Sequence, residues 1–120
     1  MRTLMLTFAC VAALAWARQS SSGQGAPPAP LIRENATVKL AEHVWAIPDF
    51  NVGLVPNVGI VVGSRATLVV DTGLGPRNGE AIVREMKKVS ANADEYVVLT
   101  HYHPEHSLGA GAFNRPGALF

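Results

Sequence analysis

Three of the chain's four histidines fall within six positions, at His101, His103 and His106 in the stretch THYHPEHSLG, and Glu105 stands among them. In an extended segment residues two apart face the same way, so His101 and His103 can offer both imidazoles to one ion while Tyr102 turns aside. Pro104 lacks an N–H and has a fixed φ, which suits the first turn of a helix and puts Glu105 and His106 at a helix N-terminus beside the same pocket. Neutral imidazole and carboxylate are ligands that Zn²⁺ and similar borderline ions accept, and an all-nitrogen-and-oxygen site leaves room for a water on the ion. A histidine-rich surface loop would share the composition. It would not explain the ligand spacing directly after an apolar strand.

That strand is read from ADEYVVLTH, at residues 96–100. Upstream, NVGIVVGSRATLVVDTG reads as a hairpin with strands at 58–62 and 66–70 around a turn at 63–65. The near-continuous apolar residues of all three strands predict burial on both faces. Asp71 ends the second hairpin strand. It reads either as a turn or capping residue, or as a buried carboxylate that holds neighbouring backbone or ligands, since a buried charge needs partners. A helix follows over 77–89, with Ile82, Met86 and Val89 on one face, Glu85 flanking it, and Glu80, Arg84, Lys87 and Lys88 turned to water. The basic residues near its end suit the helix dipole. Before the hairpin, TVKLAEHVWAI gives two short strands, 37–40 and 44–47, around a polar turn that leaves His43 solvent-exposed and without a chelating neighbour.

The 120 residues are 48% hydrophobic and 16% charged, with a formal net charge of +1. This is globular composition, and the scattered Lys and Arg exclude nucleic acid as a favoured partner. Residues 1–17 carry Arg2 as a positive start, an apolar run over 4–16 and Ala15-Trp16-Ala17 as an A-x-A cleavage site, the pattern of a secretory signal peptide. The apolar run is shorter than the roughly 20 residues that span a bilayer. Cleavage there predicts a secreted or periplasmic product with no stable membrane anchor. It also removes Cys10, the only cysteine, so any metal site must use His and carboxylate. Residues 18–30 (RQSSSGQGAPPAP) offer no apolar face and read as a disordered linker, with the folded domain over 31–120.

LVVDTG, followed by a helix, a strand and then LTHYHPEHSLGAGAF, resembles the metallo-β-lactamase fold superfamily, whose mark is H-x-H-x-D-H after a buried strand with an aspartate at an earlier strand end. The match runs roughly over residues 37–113. The resemblance implies an α/β (α+β) fold, the four-layer αββα sandwich, present here as its N-terminal half. It also implies one or two zinc ions, or other divalent metals, with His101 and His103 on the first and Glu105 and His106 on or beside the second. Asp71 then corresponds to an aspartate that supports the metal-binding loop.

Two departures from the family pattern matter. Glu105 stands where the family has Asp, and the extra methylene carries its carboxylate roughly 1.5 Å farther. Either the helix start shifts, the second ion is weakly held, or Glu105 acts as the catalytic group on the proton of the attacking water. The later ligands of the family are not found before Phe120, so the chain by itself is expected to bind zinc weakly and without useful turnover, and an apolar sheet face without its partner sheet is expected to leave it poorly stable or self-associating. The implied activity is hydrolysis of a small carbonyl or phosphoryl substrate by hydroxide that the metal makes available at neutral pH. The alternative is a non-catalytic secreted zinc-binding module or an inactive fragment.

Overall fold

The computed structural model describes residues 28–114 and 118–119. The stretch read as a signal peptide and all but the last three residues of the stretch read as a linker lie outside the described residues. Six strands form one sheet in chain order: β1 (Val38–Ala41), β2 (Val44–Ile47), β3 (Val58–Val62), β4 (Ala66–Val70), β5 (Asp94–Val98) and β6 (Ala118–Leu119). The first four pair antiparallel, whereas β4, β5 and β6 run parallel. A parallel pair needs a long crossover, and helix α1 (Pro76–Val89) supplies it between β4 and β5. The mixed α/β class expected from the sequence is therefore the observed one.

Helix α1 starts where Gly75, at φ 78°, turns the chain and Pro76 takes the first helical position, and its last turn carries Lys87 and Lys88 before Val89 ends it. Its Ala81, Ile82 and Met86 join Ile47, Val58, Ile60, Val69 and Val97 of the sheet in one core, which Ile32, Val55 and Phe113 close. Each buried Val, Ile, Met or Phe among them contributes about 1.5–3 kcal/mol through burial.

Burial on both sheet faces is not what the structure shows. Burial alternates along β3, β4 and β5, because α1 covers one face only. Val61, Tyr96 and Val98 on the other face remain 38%, 47% and 47% exposed. The apolar runs are thus a sheet with one packed face and one open face among the described residues. The last long strand is also shifted. It runs over Asp94–Val98 rather than 96–100, because pairing of Ala66 with Asp94 and Thr67 with Glu95 draws two acidic residues into the ladder.

The charged side of α1 is likewise more than a solvated face. Asn78 Oδ1 accepts the N–H groups of Leu31 and Ile32 at 2.7 and 2.9 Å, and Arg84 Nε donates to Glu34 at 2.9 Å. Glu85, fully buried, accepts from the Asn35 N–H at 2.8 Å, from Thr37 Oγ1 at 2.6 Å and from Lys88 Nζ. Residues 31–37 are strapped along the helix by these bonds. Burial pushes the Glu85 carboxyl up, but the hydrogen bonds from Lys88, Thr37 and Asn35, with the Lys88 charge, outweigh it and hold the group below the usual carboxylate range.

A carboxylate lowered in the folded state contributes stability that is fully present above the ordinary Glu value of about 4.3 and is lost as pH falls through the folded value. Glu85→Gln is expected to cost about 1–3 kcal/mol at pH 7 and to make urea unfolding less sensitive to acid between pH 5 and pH 3. A variant as acid-sensitive as the native chain would exclude Glu85 as the linked group.

Candidate functional site

Because β4 and β5 are parallel, their carboxyl ends lie at the same sheet edge, the edge where α/β sheets place ligands. Asp71 leaves β4 at φ 67°, in the left-handed region that a short polar side chain tolerates better than most. Its N–H still donates to the Val98 carbonyl at 2.9 Å, so the turn stays tied to β5. Its side chain is 3% exposed as a residue and turns under residues 99–106.

There the carboxylate gathers donors from two separate segments. Asp71 Oδ1 accepts the Thr100 N–H at 2.8 Å, and the Thr100 hydroxyl lies 3.0 and 2.9 Å from Oδ1 and Oδ2. His106 Nδ1 is 2.8 Å from Oδ2. Backbone bonds reinforce the junction: Thr72 N–H and Oγ1–H donate to the His106 carbonyl at 2.8 and 3.0 Å, and Gly109 N–H donates to Gly73 at 2.8 Å. Gly109 is required here, since a Cβ on it would overlap the Thr72 carbonyl.

Helix α2 (Pro104–Ser107) begins with Pro104 after His103. It carries Glu105 and His106, and a 3₁₀ turn (Ala110–Phe113) follows and buries Phe113. The His101 ring lies 4.0 Å, centroid to centroid, from His106 and 4.6 Å from His103. Glu105 Oε1 is 3.8 Å from His103 Nδ1. Residues 100–102 form a bend rather than a continued strand, so His101 and His103 meet edge to face instead of side by side. Tyr102 is 86% exposed and packs against His103. His43 stays in its exposed turn, with Glu42 Oε1 3.6 Å from its Nε2.

The structure therefore brings Asp71, His101, His103, Glu105 and His106 to one edge. It adds Thr100, which sequence reasoning passed over although a hydroxyl residue directly before the first histidine was visible. Two shallow hollows of about 420 and 400 Å³ lie elsewhere, one at the β3–β4 turn and one where residues 28–31 cross the start of α1. Neither is lined by a histidine.

Residues 51–117, more than half of the chain, match the family model of the metallo-β-lactamase superfamily. The chain belongs to that superfamily. Among solved structures it is similar to the metallo-β-lactamase of Erythrobacter litoralis with β-mercaptoethanol in the active site, at 30% identity and a TM-score of 0.52, over 68% of this chain and 39% of that one. It is similar in fold to DIM-1 metallo-β-lactamase exposed to ceftazidime, at 22% identity and a TM-score of 0.50, over 69% of this chain and 40% of that one. The chain thus spans about two fifths of the length of these structures. Comparison with curated protein sequences gives no match.

The donor types at this metallo-β-lactamase motif suit the metal that the superfamily implies. His101 Nδ1 lies 3.0 Å from the Thr100 hydroxyl and His106 Nδ1 rests on Asp71, so each ring keeps its opposite nitrogen for another partner. The rings nevertheless lie against one another, and among the described residues no three His, Cys, Asp or Glu side chains are arranged to hold an ion together.

Asn tolerates the left-handed backbone of Asp71 but replaces an acceptor oxygen with a donor. Asp71→Asn is expected to lose about 1–3 kcal/mol in urea unfolding by setting an NH₂ group against Thr100 or His106. An unchanged midpoint would show that the carboxylate does not hold the junction.

Proposed function

We propose that this chain carries the first part of the metal site of an exported metal-dependent hydrolase. The observation that supports it most is the hydrogen-bonded junction of Asp71 with Thr100 and His106 inside a metallo-β-lactamase superfamily match. His101 and His103 would hold a first zinc or similar divalent ion, with Glu105 and His106 on or beside a second one, and Asp71 would orient His106 from behind. A bound ion of this kind supplies Lewis acidity and makes water acidic enough to be a nucleophile near neutral pH.

The chain's own residues supply positioning and proton handling. Asp71 fixes the His106 ring by its Nδ1. Glu105, with a side chain 19% exposed, can hold the attacking water and take its proton at a carboxylate oxygen. The substrate is a small molecule with a carbonyl or phosphoryl centre. Export to the periplasm or outside the cell rests on Arg2, the apolar run over 4–16 and the A-x-A site. Residues 18–30 serve as the linker and 31–120 as the N-terminal part of the domain. Among the described residues no helix is long and apolar enough to cross a membrane.

A second reading is a non-catalytic secreted zinc-binding module or an inactive fragment, since a module without turnover needs only the local cluster of His101, His103 and His106. Metal content after dialysis tests the shared part of both readings: His101→Ala with His103→Ala should remove the tightest-bound zinc, and unchanged zinc would end both. Turnover separates them. Glu105→Gln should lower hydrolysis of a lactam, thioester or phosphodiester by about 10²-fold or more while zinc is retained. Glu105→Asp should raise occupancy of a second ion. A Gln variant as fast as the native protein would remove the proton role from Glu105.

A further inference from the structure

The Thr100 hydroxyl has one hydrogen and four polar neighbours. They are Asp71 Oδ1 and Oδ2 at 3.0 and 2.9 Å, His101 Nδ1 at 3.0 Å and His106 Nδ1 at 3.4 Å. Counting hydrogens resolves who donates to whom. A carboxylate only accepts, so the hydroxyl hydrogen goes to Asp71, and so does the hydrogen on His106 Nδ1 at 2.8 Å. The hydroxyl oxygen is then left with lone pairs alone. His101 Nδ1 must therefore carry a hydrogen and donate it to Thr100.

We propose that Thr100 is a positioning residue that locks His101 in the Nδ1–H tautomer, leaving Nε2 as the ring's only lone pair. The chain of dependence runs from Asp71 to the Thr100 hydroxyl to His101. Asp71 fixes the direction of the Thr100 O–H, and Thr100 fixes the His101 proton. One buried carboxylate thus sets two imidazoles, His106 directly and His101 through one hydroxyl. A neutral imidazole binds a metal through a nitrogen without hydrogen, so the lock decides which His101 nitrogen is available. The Thr100 backbone N–H also reaches Asp71, at 2.8 Å, so the residue stays anchored when only the hydroxyl is removed. The use of the lock in metal binding rests on the hydrolase reading; the lock itself does not.

The test is the tautomer of each histidine in metal-free protein, read from long-range ¹⁵N–¹H correlations in the full chain labelled at histidine, at a pH above the imidazole range. With four histidines the spectrum is small. In the native chain His101 and His106 should both show Nδ1–H with unprotonated Nε2. Thr100→Val, which keeps the shape and removes the hydroxyl, should release His101 to a mixture with Nε2–H while His106 stays as it was. Thr100→Ser should restore the native pattern. Zinc affinity should fall about 10–100-fold in the Val variant and recover in the Ser variant. An Nε2–H tautomer for His101 in the native chain would overturn the proposal. So would a Val variant with His106 unmoved and His101 unchanged. The tautomer is read without metal, so the two ideas fail separately: a chain that takes up no zinc overturns the hydrolase reading, while the lock stands or falls on the spectrum.

Discussion

One buried carboxylate organises the site. Asp71 sits in a left-handed backbone conformation that costs a non-glycine residue about 1–3 kcal/mol, and it carries a charge to a place with little water. Both costs are offset by donors that come from residues 100 and 106, each hydrogen bond to a charged acceptor contributing about 1.5–3 kcal/mol. The left-handed turn is what directs the carboxylate under that segment. Remove the donors and an uncompensated charge remains; remove the carboxylate and Thr100 and His106 lose their common anchor.

The sheet topology makes that meeting geometrically possible. Asp71 and Thr100 are 29 residues apart in sequence but belong to the ends of neighbouring parallel strands, and α1 is the crossover that returns the chain to the same edge. The route then has to pass close to the helix. Gly79 on α1 and Gly109 after α2 permit it, since a Cβ on Gly79 would overlap the Gly109 carbonyl and one on Gly109 would overlap Thr72. The functional edge and the packing of α1 are therefore one construction, with the strap of residues 31–37 closing the other side of the same helix through Asn78 and Glu85.

What was legible in the sequence follows from how local the cause is. The strands at 44–47, 58–62 and 66–70 and the helix beginning one residue before Arg77 are set by apolar pattern, Gly75 and Pro76, all read from adjacent residues. The start of β5 at Asp94 and the short β6 depend on pairing with distant strands, which no local pattern carries. The apolar second face of the sheet was legible, but apolar residues cannot say what covers them. At the site, residue types and their edge of the fold were readable from THYHPEHS. The bend at 100–102, the reach of Asp71 across 35 residues to His106 and the hydroxyl of Thr100 were not, because each depends on where an oxygen lies in three dimensions.

The site residues differ in how firmly they are held, and the order has a physical meaning. His106 is 20% exposed and bound to Asp71; His101 has the Thr100 hydroxyl; His103 is 53% exposed and has Glu105 no closer than 3.8 Å. Rigidity thus falls along the path away from the carboxylate. Swinging His103 and Glu105 into fixed positions costs about 0.5–1.5 kcal/mol for each side chain. Zinc held by a protein site supplies on the order of 10 kcal/mol. In the proposed metal site the loosely held members would therefore be ordered by the ion itself. The tautomer and facing of His101 and His106 cannot be left to it so readily, because a ring that presents N–H offers no lone pair until it rotates or exchanges a proton. The fold places its buried polar contacts at those two rings, and His103, an imidazole with the same requirement, has the Glu105 carboxylate only at 3.8 Å, so in the proposed metal site its nitrogen would be selected by the ion rather than by the fold.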